Sequence, residues 1–411
     1  MARGGNQLAE EVFHEEKNRP ALNILHLHGA QRLWTRCGTA SSRPPTIQLI
    51  SITTRVAQYP VVATSPAFRG GTGRRLWIAV PIVAVLVYSA ALLGEYRGGR
   101  VIPGRWLSDH YDTGVYWEHA QFYPAGGRPY VDSFSEYPVI STLAFAVPLV
   151  VSPNLDRRTY HYVWGWLMTL PFIATLLVIN GRRRDANLRL WPMACMASPT
   201  LLCFSLNRFD ILPALVCALS LRAFHKERYA AAHLLLAIGV HLKWYPAVIF
   251  PVYLAYHMQV DGLYSNRLRG FLHSRSLKYG LVFASTVLAL ALLTILAVGW
   301  DGFIAPYRFH AARGGQYFNP YWLTIWFLER TGWIGPFVTL TVDALFLAAQ
   351  LSIAWLLLAK RISTHDDVDR YAVLAVVIFV TFAKIDSPQW ILWYAPLGLM
   401  FASMAETVPT E

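Results

Sequence analysis

Three long runs of apolar residues constrain the fold of this chain more than any other feature. Residues 76–94, 278–299 and 333–358 are each long enough, at about 1.5 Å per residue, to cross a hydrocarbon core about 30 Å thick. A segment inside a bilayer must satisfy its backbone N–H and C=O groups without water, and a helix does this by itself. We therefore predict an all-α integral membrane protein.

Shorter apolar segments extend this pattern. They are residues 137–152, 159–179, 190–206, 211–224, 229–242, 245–257, 371–384 and 388–404. Together with the long runs they predict a multi-pass arrangement of about 10 to 12 helices. A composition of 55% hydrophobic and 15% charged residues agrees with this class of protein.

The N-terminal part of the chain differs from this apolar region. Residues 1–75 are polar, rich in arginine and serine, and lack sustained periodicity. This pattern predicts a cytoplasmic, disordered extension, or a translation start placed too early. The membrane-embedded domain is predicted over residues 76–404, followed by a short tail at 405–411.

The basic residues indicate orientation rather than nucleic-acid binding. The net charge is +12, but lysine and arginine occur in short clusters such as RGGTGRR (69–75), GRRRDANLR (181–189) and RAFHKER (222–228). Such clusters between apolar segments are typical of cytoplasmic loops. This orientation places residues 95–136 and 300–332 outside. The four cysteines fit no disulfide or metal-site spacing.

One conflict remains in this orientation. Two apolar segments, 137–152 and 159–179, separate the outer first loop from the basic loop at 181–189, where a single crossing is needed. Either residues 137–152 form a partial or re-entrant segment, or the basic loop lies outside against the positive-inside rule.

The outer first loop combines carboxylates with aromatic residues. YDTGVYWEHA (111–120) contains Asp112, and GGRPYVDSFSEYP (126–138) contains Glu136. Aromatic rings beside carboxylates suit sugar binding, because rings cover apolar sugar faces while carboxylates accept hydrogen bonds from hydroxyls. An interfacial aromatic belt with solvated acids is the alternative interpretation.

Charged residues also interrupt two strongly apolar regions. Arg208 and Asp210 lie in LNRFDILP (206–213), and Lys243 lies in VHLKWYP (240–246). Ionisable groups at membrane depth are costly and usually pair or line a cavity. The functional interpretation places Arg208 or Lys243 at an anionic headgroup or phosphate. The structural alternative is an Arg208–Asp210 ion pair near a helix end.

Two further motifs lie near the predicted outer face. YRFHAARGGQYFNPYW (307–322) places His310 and Arg313 about one helical turn apart, where two cations can hold a phosphate. A basic segment lying on lipid headgroups is the alternative. AKIDSPQWILWYAP (383–396) contains Gln389, and its Trp393 is interpreted as an interfacial anchor.

Taken in order, these motifs resemble those of a known family. They are PYxDxxxEYP (129–138), NRFDxLPA (207–214), LKxYP (242–246), xHxxRGxQ (309–316) and SPQxxLWxxP (387–396). The ordered set resembles the polyprenyl-phosphate-mannose-dependent α-mannosyltransferases of actinobacteria. These enzymes belong to the glycosyltransferase C superfamily and include the phosphatidylinositol-mannoside mannosyltransferases. VHLKWYP is also similar to the eukaryotic mannosyltransferase that builds the glycosylphosphatidylinositol anchor.

The resemblance implies a multi-pass, glycosyltransferase C-type fold and a site open to the extracytoplasmic side. It implies that Asp112 is the general base for an inverting transfer of mannose. His310 and Arg313, with Lys243, are expected to stabilise the leaving phosphate. Glu136 is expected to orient the loop or the acceptor.

The resemblance also implies the partners of the reaction. They are a polyprenyl-phosphate sugar donor, a glycolipid or glycan acceptor, and membrane lipids, without nucleic acid. Because residues 109–112 read DHYD and contain no DxD motif, we expect no obligatory metal or cofactor.

Three alternatives stay open at this point. QYFNPYW (316–322) stands where the family usually has QxES, so a polyprenyl-linked arabinofuranose transferase is one alternative. A transporter or flippase for a lipid-linked glycan is a second, although we find no internal repeat of the kind that many transporters carry. A catalytically silent scaffold subunit is the third.

Overall fold

The computed structural model describes the chain in several stretches. These are residues 110–127, 130, 132, 135–181, 186–263, 274–312, 344, 347–353, 362–383 and 387–405, with scattered positions between 79 and 90. All of them belong to a compact unit that spans residues 65–411. The regular elements within these stretches are all helical, as the sequence predicts. The predicted extension over residues 1–75 lies outside the described residues.

Eleven α-helices run through the described stretches. In chain order they are α1 (His110–Ala120), α2 (Val139–Val151), α3 (Arg157–Asn180), α4 (Ala186–Met196), α5 (Pro199–Asn207), α6 (Ile211–His225), α7 (Tyr229–Leu242), α8 (Phe250–Val260), α9 (Arg275–Ala312), α10 (His365–Phe382) and α11 (Ile391–Ala405). Two 3-10 turns, Tyr245–Ile249 and Pro388–Trp390, directly precede α8 and α11.

Helices of membrane-crossing length are fewer than the sequence predicts. Among the described residues, α3 and α9 are long and apolar enough to cross a membrane. Helices α5 and α6 form a third candidate span that is bent by 103° at its centre. These findings agree with a helical membrane protein, and the count of about 10 to 12 crossings stays a prediction.

Helix α2 bears on the conflict in orientation. It has 13 residues, so it rises only about 20 Å, which is less than a hydrocarbon core of about 30 Å. Helix α3, which follows it, has 24 residues and is long enough to cross. This favours the interpretation of residues 137–152 as a partial segment.

Helix α6 lies at the centre of the described helices. It packs against α3, α7 and α11. The small side chains of Ala214, Cys217 and Ala218 on this helix are buried, and small residues let neighbouring helices approach closely. Cys217 is a free cysteine whose thiol is buried.

Helix α9 differs from α6 because much of its surface is apolar and exposed. Its exposed leucines are Leu281, Leu288, Leu292, Leu293 and Leu296. A continuous exposed apolar face of this kind suits contact with lipid chains. The helix is kinked at Gly299, whose φ of 76° and ψ of 172° lie in a region that is essentially restricted to glycine.

Candidate active site

A cavity of about 750 Å³ gathers most of the residues that the sequence singled out. Six of the predicted site residues line it: Asp112, Glu136, Arg208, Lys243, His310 and Gln389. Asp210 does not line the cavity and lies behind its wall. Arg313 lies outside the described residues, so its predicted place beside His310 stays a prediction.

Helix α1, which carries Asp112 to the cavity, is anchored in the core by two residues that follow Asp112. Tyr116 is fully buried, and its hydroxyl oxygen accepts a hydrogen bond of 3.3 Å from the backbone N–H of Phe209. Thr113 Oγ1 and the His161 ring share a hydrogen bond of 2.8 Å. Tyr116 is thus a packing residue that ties α1 to the α5–α6 junction, and it does not face a substrate.

The α5–α6 junction brings Arg208 to the same place. Arg208 ends α5 in an extended conformation, with φ of −114° and ψ of 149°. A helix continuing through this point would bring the ring of Pro213 against the carbonyl of Phe209, so the NRFDILP sequence favours a break. The two helices meet at an angle of 103°, and Arg208 and Asp210 lie at the bend between them.

Asp112 and Arg208 form an ion pair at the cavity wall. Their side chains are 17% and 8% exposed, so water screens the pair only weakly. Burial raises the pKa of Asp112 above its usual range, whereas the Arg208 guanidinium acts in the opposite direction. The carboxylate is therefore a stronger base than a solvated aspartate, and its cationic partner favours the ionised form.

Asp210 pairs with Lys243. The Lys243 ammonium donates to Asp210 Oδ1 over 2.6 Å, and the Trp393 indole N–H donates to the same oxygen over 2.5 Å. The Asp210 side chain is 0% exposed. Other side chains separate Asp210 from the cavity in this structure, and its assignment as a substrate-binding residue stays a prediction.

Aromatic rings form much of the cavity wall. The Trp393 ring stacks on Tyr245 at 4.4 Å and on Trp390 at 4.4 Å. The Trp244 ring stacks on Tyr307 at 4.8 Å. The interpretation of Trp393 as an interfacial anchor is wrong, because this side chain is 3% exposed and takes part in the site.

Most of these rings were not predicted from the sequence as site residues. The signal available was spacing, since Trp390 and Trp393 stand three residues apart and therefore share a helical face. From the sequence alone, a helical face that lines a cavity looks the same as a face that contacts lipid. The packing of α11 against other helices distinguishes the two.

His310 connects the last part of α9 to the first loop. Its Nε2 lies 3.1 Å from the backbone carbonyl oxygen of Glu136, and its ring packs edge-on against Trp244 at 4.9 Å. Tyr307 lies three residues earlier on the same face of the helix. This contact places Glu136 and His310 side by side at the cavity.

The described residues contain no group of three His, Cys, Asp or Glu side chains arranged to hold a metal ion. The expectation that the reaction needs no obligatory metal stays a prediction, because part of the chain is not described.

Comparison with known proteins agrees with this geometry. Residues 207–408 match the family described as "Mannosyltransferase (PIG-M)". A relative named GPI mannosyltransferase 1 from Dictyostelium discoideum is 25% identical over 303 residues, covering 63% of this chain and 68% of the relative. Residues 207–408 are thus similar to the PIG-M mannosyltransferases, and the two similarities together support a mannosyltransferase enzyme.

Two further relatives show the same similarity. The catalytic subunit of GPI alpha-1,4-mannosyltransferase I from Danio rerio is 25% identical over 296 residues, covering 69% of this chain and 70% of the relative. GPI mannosyltransferase 1 from Candida albicans is 18% identical over 308 residues, covering 72% of this chain and 75% of the relative. The predicted resemblance is thus confirmed for a membrane mannosyltransferase, whereas a phosphatidylinositol-mannoside type of specificity is not shown.

Some of the residues that line the cavity lie within the PIG-M match, and others precede it. Arg208, Lys243, His310 and Gln389 lie within the matched residues, and so does Asp210 behind the wall. Asp112, on α1, and Glu136, just before α2, also line the cavity but precede the match. The predicted roles of these two acids rest on motif resemblance and on their position.

Proposed function

We propose that this PIG-M-related enzyme transfers mannose from a polyprenyl-phosphate donor to a hydroxyl of a glycolipid, with inversion at the anomeric carbon. The observation that carries the proposal is the cavity. It exposes two partly buried carboxylates, several basic side chains and stacked aromatic rings to the same space. The relatives are named for glycosylphosphatidylinositol, so the acceptor we propose is a glycan on an inositol phospholipid.

Asp112 is the general base in this mechanism. Its carboxylate takes the proton from the acceptor hydroxyl as that oxygen forms a bond to the anomeric carbon of the donor. The bond between this carbon and the phosphate oxygen breaks, and its electron pair leaves with the polyprenyl phosphate. Attack and departure occur on opposite faces of the sugar, so the configuration inverts.

The basic residues act on the leaving group. The departing phosphate gains negative charge in the transition state, and cations placed there in advance stabilise it. Lys243 and His310 both line the cavity and suit this role. Arg208 serves the base instead, because its contact with Asp112 favours the ionised carboxylate.

The arrangement of α6 and α7 supports the extracytoplasmic orientation that we propose. Helix α6 runs from Asp210 behind the cavity to the basic segment at 222–228, a rise of about 22 Å over its 15 residues. Helix α7 packs beside α6 and returns to end at Lys243. The cavity and the basic segment thus lie at opposite ends of this pair, and a cytoplasmic basic segment places the cavity outside.

Sugar transfer in membranes that contain this chain tests the proposal. The donor is radiolabelled polyprenyl-phosphate mannose, and a lipid extract rich in inositol phospholipids supplies the acceptor. We expect labelled glycolipid from the unaltered enzyme and a loss of about 100-fold or more for Asp112→Asn, because a positioned general base contributes at least that much.

Glu118→Gln is the matched control for this experiment. Glu118 is an exposed acid on the same helix, 3.8 Å from Arg157, and its loss should leave transfer unchanged. Transfer that survives in Asp112→Asn would move the base elsewhere, first to Glu136. An unaltered enzyme that transfers no mannose from this donor would overturn the proposal.

A further inference from the structure

Asp210 joins two cavity residues without reaching the cavity itself. A single carboxylate oxygen, Oδ1, accepts both the Lys243 ammonium at 2.6 Å and the Trp393 indole N–H at 2.5 Å. Its other oxygen has no hydrogen-bond partner among the described residues. A fully buried carboxylate is costly unless it is paired, so these two contacts account for its presence.

Lys243 depends on this contact for its position. Its side chain has a flexible four-carbon stem and is 19% exposed, so the ammonium has room to adopt other positions. In the structure it lies over the Trp393 ring, 5.1 Å from the ring centre. The hydrogen bond to Asp210 thus selects one position of the cation at the cavity wall.

Trp393 is held in the same way. Its ring is sandwiched between Tyr245 and Trp390, with Tyr245 within 5° of parallel. Stacking has little directional preference within the plane of the rings, and the N–H bond to Asp210 adds a directional contact that fixes the position of the indole. An aromatic face and a cation are therefore fixed at a constant separation by one carboxylate.

We propose that Asp210 is a positioning residue for the donor subsite, acting through Lys243 and Trp393. The inference rests on the proposed function, because the donor is taken to be a polyprenyl-phosphate sugar. In such a donor the phosphate and the sugar ring are joined through one glycosidic oxygen. The Lys243 ammonium suits the phosphate of this pair, and the partly buried, cavity-lining ring of Trp390, which stacks on Trp393, suits an apolar face of the sugar.

Kinetics of four variants test this assignment: Asp210→Asn, Lys243→Met, Trp393→Phe and the double variant Asp210→Asn/Lys243→Met. We expect Asp210→Asn to lower kcat by about ten-fold or more, because a misplaced cation loses most of its effect on the departing phosphate. The KM for the acceptor should not change. Trp393→Phe keeps an aromatic ring but lacks the N–H, and should show a smaller loss of kcat.

The double variant separates positioning from an independent effect. If Asp210 acts through Lys243, then Asp210→Asn/Lys243→Met should be no slower than Lys243→Met alone. Losses that multiply would overturn the inference, because they would show two independent contributions.

Asp369→Asn is the matched control for loss of a buried acid. Asp369 is a fully buried carboxylate on α10, and its Oδ1 lies 2.6 Å from Nε2 of His225 at the far end of α6. We expect this variant to lower the thermal midpoint without changing kcat. An Asp210→Asn variant that behaves in the same way would show a structural role only and would overturn the inference.

Binding of unlabelled polyprenyl phosphate distinguishes failure of the inference from failure of the proposed function. It is measured with the detergent-solubilised enzyme and needs no acceptor. We expect Asp210→Asn to bind polyprenyl phosphate about ten-fold or more weakly than the unaltered enzyme does. Without Asp210 the Lys243 ammonium is misplaced, and its charge-assisted contact with the phosphate is weakened. If the unaltered enzyme transfers mannose and Asp210→Asn binds polyprenyl phosphate equally well, the inference about Asp210 is wrong and the proposed function stands. If the unaltered enzyme neither binds polyprenyl phosphate nor transfers mannose, the proposed donor class is wrong. If Asp210→Asn does not fold, Trp393→Phe and Lys243→Met give the same comparison.

Discussion

At the scale of single residues, the site of this enzyme depends on which acidic side chain pairs with which cationic side chain. The sequence places Arg208 two residues from Asp210, and this spacing suggests that they form a pair. In the structure Arg208 contacts Asp112 and Asp210 contacts Lys243, so each partner comes from a distant part of the chain. The first pair governs the proposed base, and the second positions a cation.

The first pair leads to a prediction about pH. A general base works in its ionised form, so the rate falls as the pH drops through the pKa of Asp112. The Arg208 guanidinium lowers this pKa, and Arg208→Gln removes that effect, so the pKa of Asp112 should rise further. We therefore expect the acid side of the kcat/KM profile to move to higher pH.

A pH series of transfer rates with the two enzymes checks this shift. Arg157→Gln is the control, since Arg157 is an exposed arginine whose nearest acid is Glu118 at 3.8 Å. An unchanged profile in Arg208→Gln would mean that Asp112 is not the group whose ionisation limits the reaction.

At the scale of helices, interruptions place the functional residues. Arg208 and Asp210 lie at the bend between α5 and α6, Lys243 follows the end of α7, and His310 follows the kink in α9. Each break ends a regular hydrogen-bonding pattern and turns a polar group out of an otherwise apolar helix. This allows charged groups to reach a cavity at the cost of local helix continuity.

The kink at Gly299 leads to a prediction about stability. A Cβ at this position would meet no neighbouring atom within 4 Å, so the cost of a side chain comes from the backbone alone. With φ at 76° and ψ at 172°, we expect Gly299→Ala to destabilise the protein by about 1 to 3 kcal/mol.

Thermal unfolding of the detergent-solubilised protein measures this effect. Gly280→Ala in the regular part of the same helix is the matched control, because its Cβ would make an ordinary contact at 4.0 Å with Phe250. Alanine there should be neutral or stabilising by up to about 1 kcal/mol. Equal effects of the two substitutions would contradict the idea that Gly299 is required by its conformation.

At the scale of the whole molecule, the proposed reaction needs the cavity and the basic segment on opposite sides of the membrane. Asp132 is an exposed residue of the first loop, on the cavity side, and Lys226 is exposed at the far end of α6. A cysteine at position 132 should therefore react with a membrane-impermeant maleimide in intact cells. A cysteine at position 226 should react only after the membrane is opened.

Both labelling variants are made in a background that lacks the four native cysteines. Labelling of both positions in opened membranes shows that each thiol is accessible. Labelling of position 226, but not of 132, in intact cells would reverse the orientation and place the site in the cytoplasm.

Much of the fold could be predicted because it depends on local patterns. The apolar segments at 159–179, 211–224 and 229–242 agree with α3, α6 and α7 to within two residues at each end. Length, hydropathy and flanking basic residues suffice for such helices, since a helix satisfies its own backbone. The segment at 190–206 was harder to predict, because the structure divides it into α4 and α5 around Ser198.

By itself, then, the sequence determined the class of the protein, the position of most described helices and the short set of charged residues worth testing. Only the tertiary structure decided which of those residues meet, since ion pairs and ring stacks join positions as far apart as Asp210 and Trp393. The physical reason is that helix formation depends on neighbours along the chain, whereas a cavity wall depends on packing between helices. That is why the sequence did not show that Asp210 is buried behind the cavity wall and that the Trp393 ring forms part of this wall.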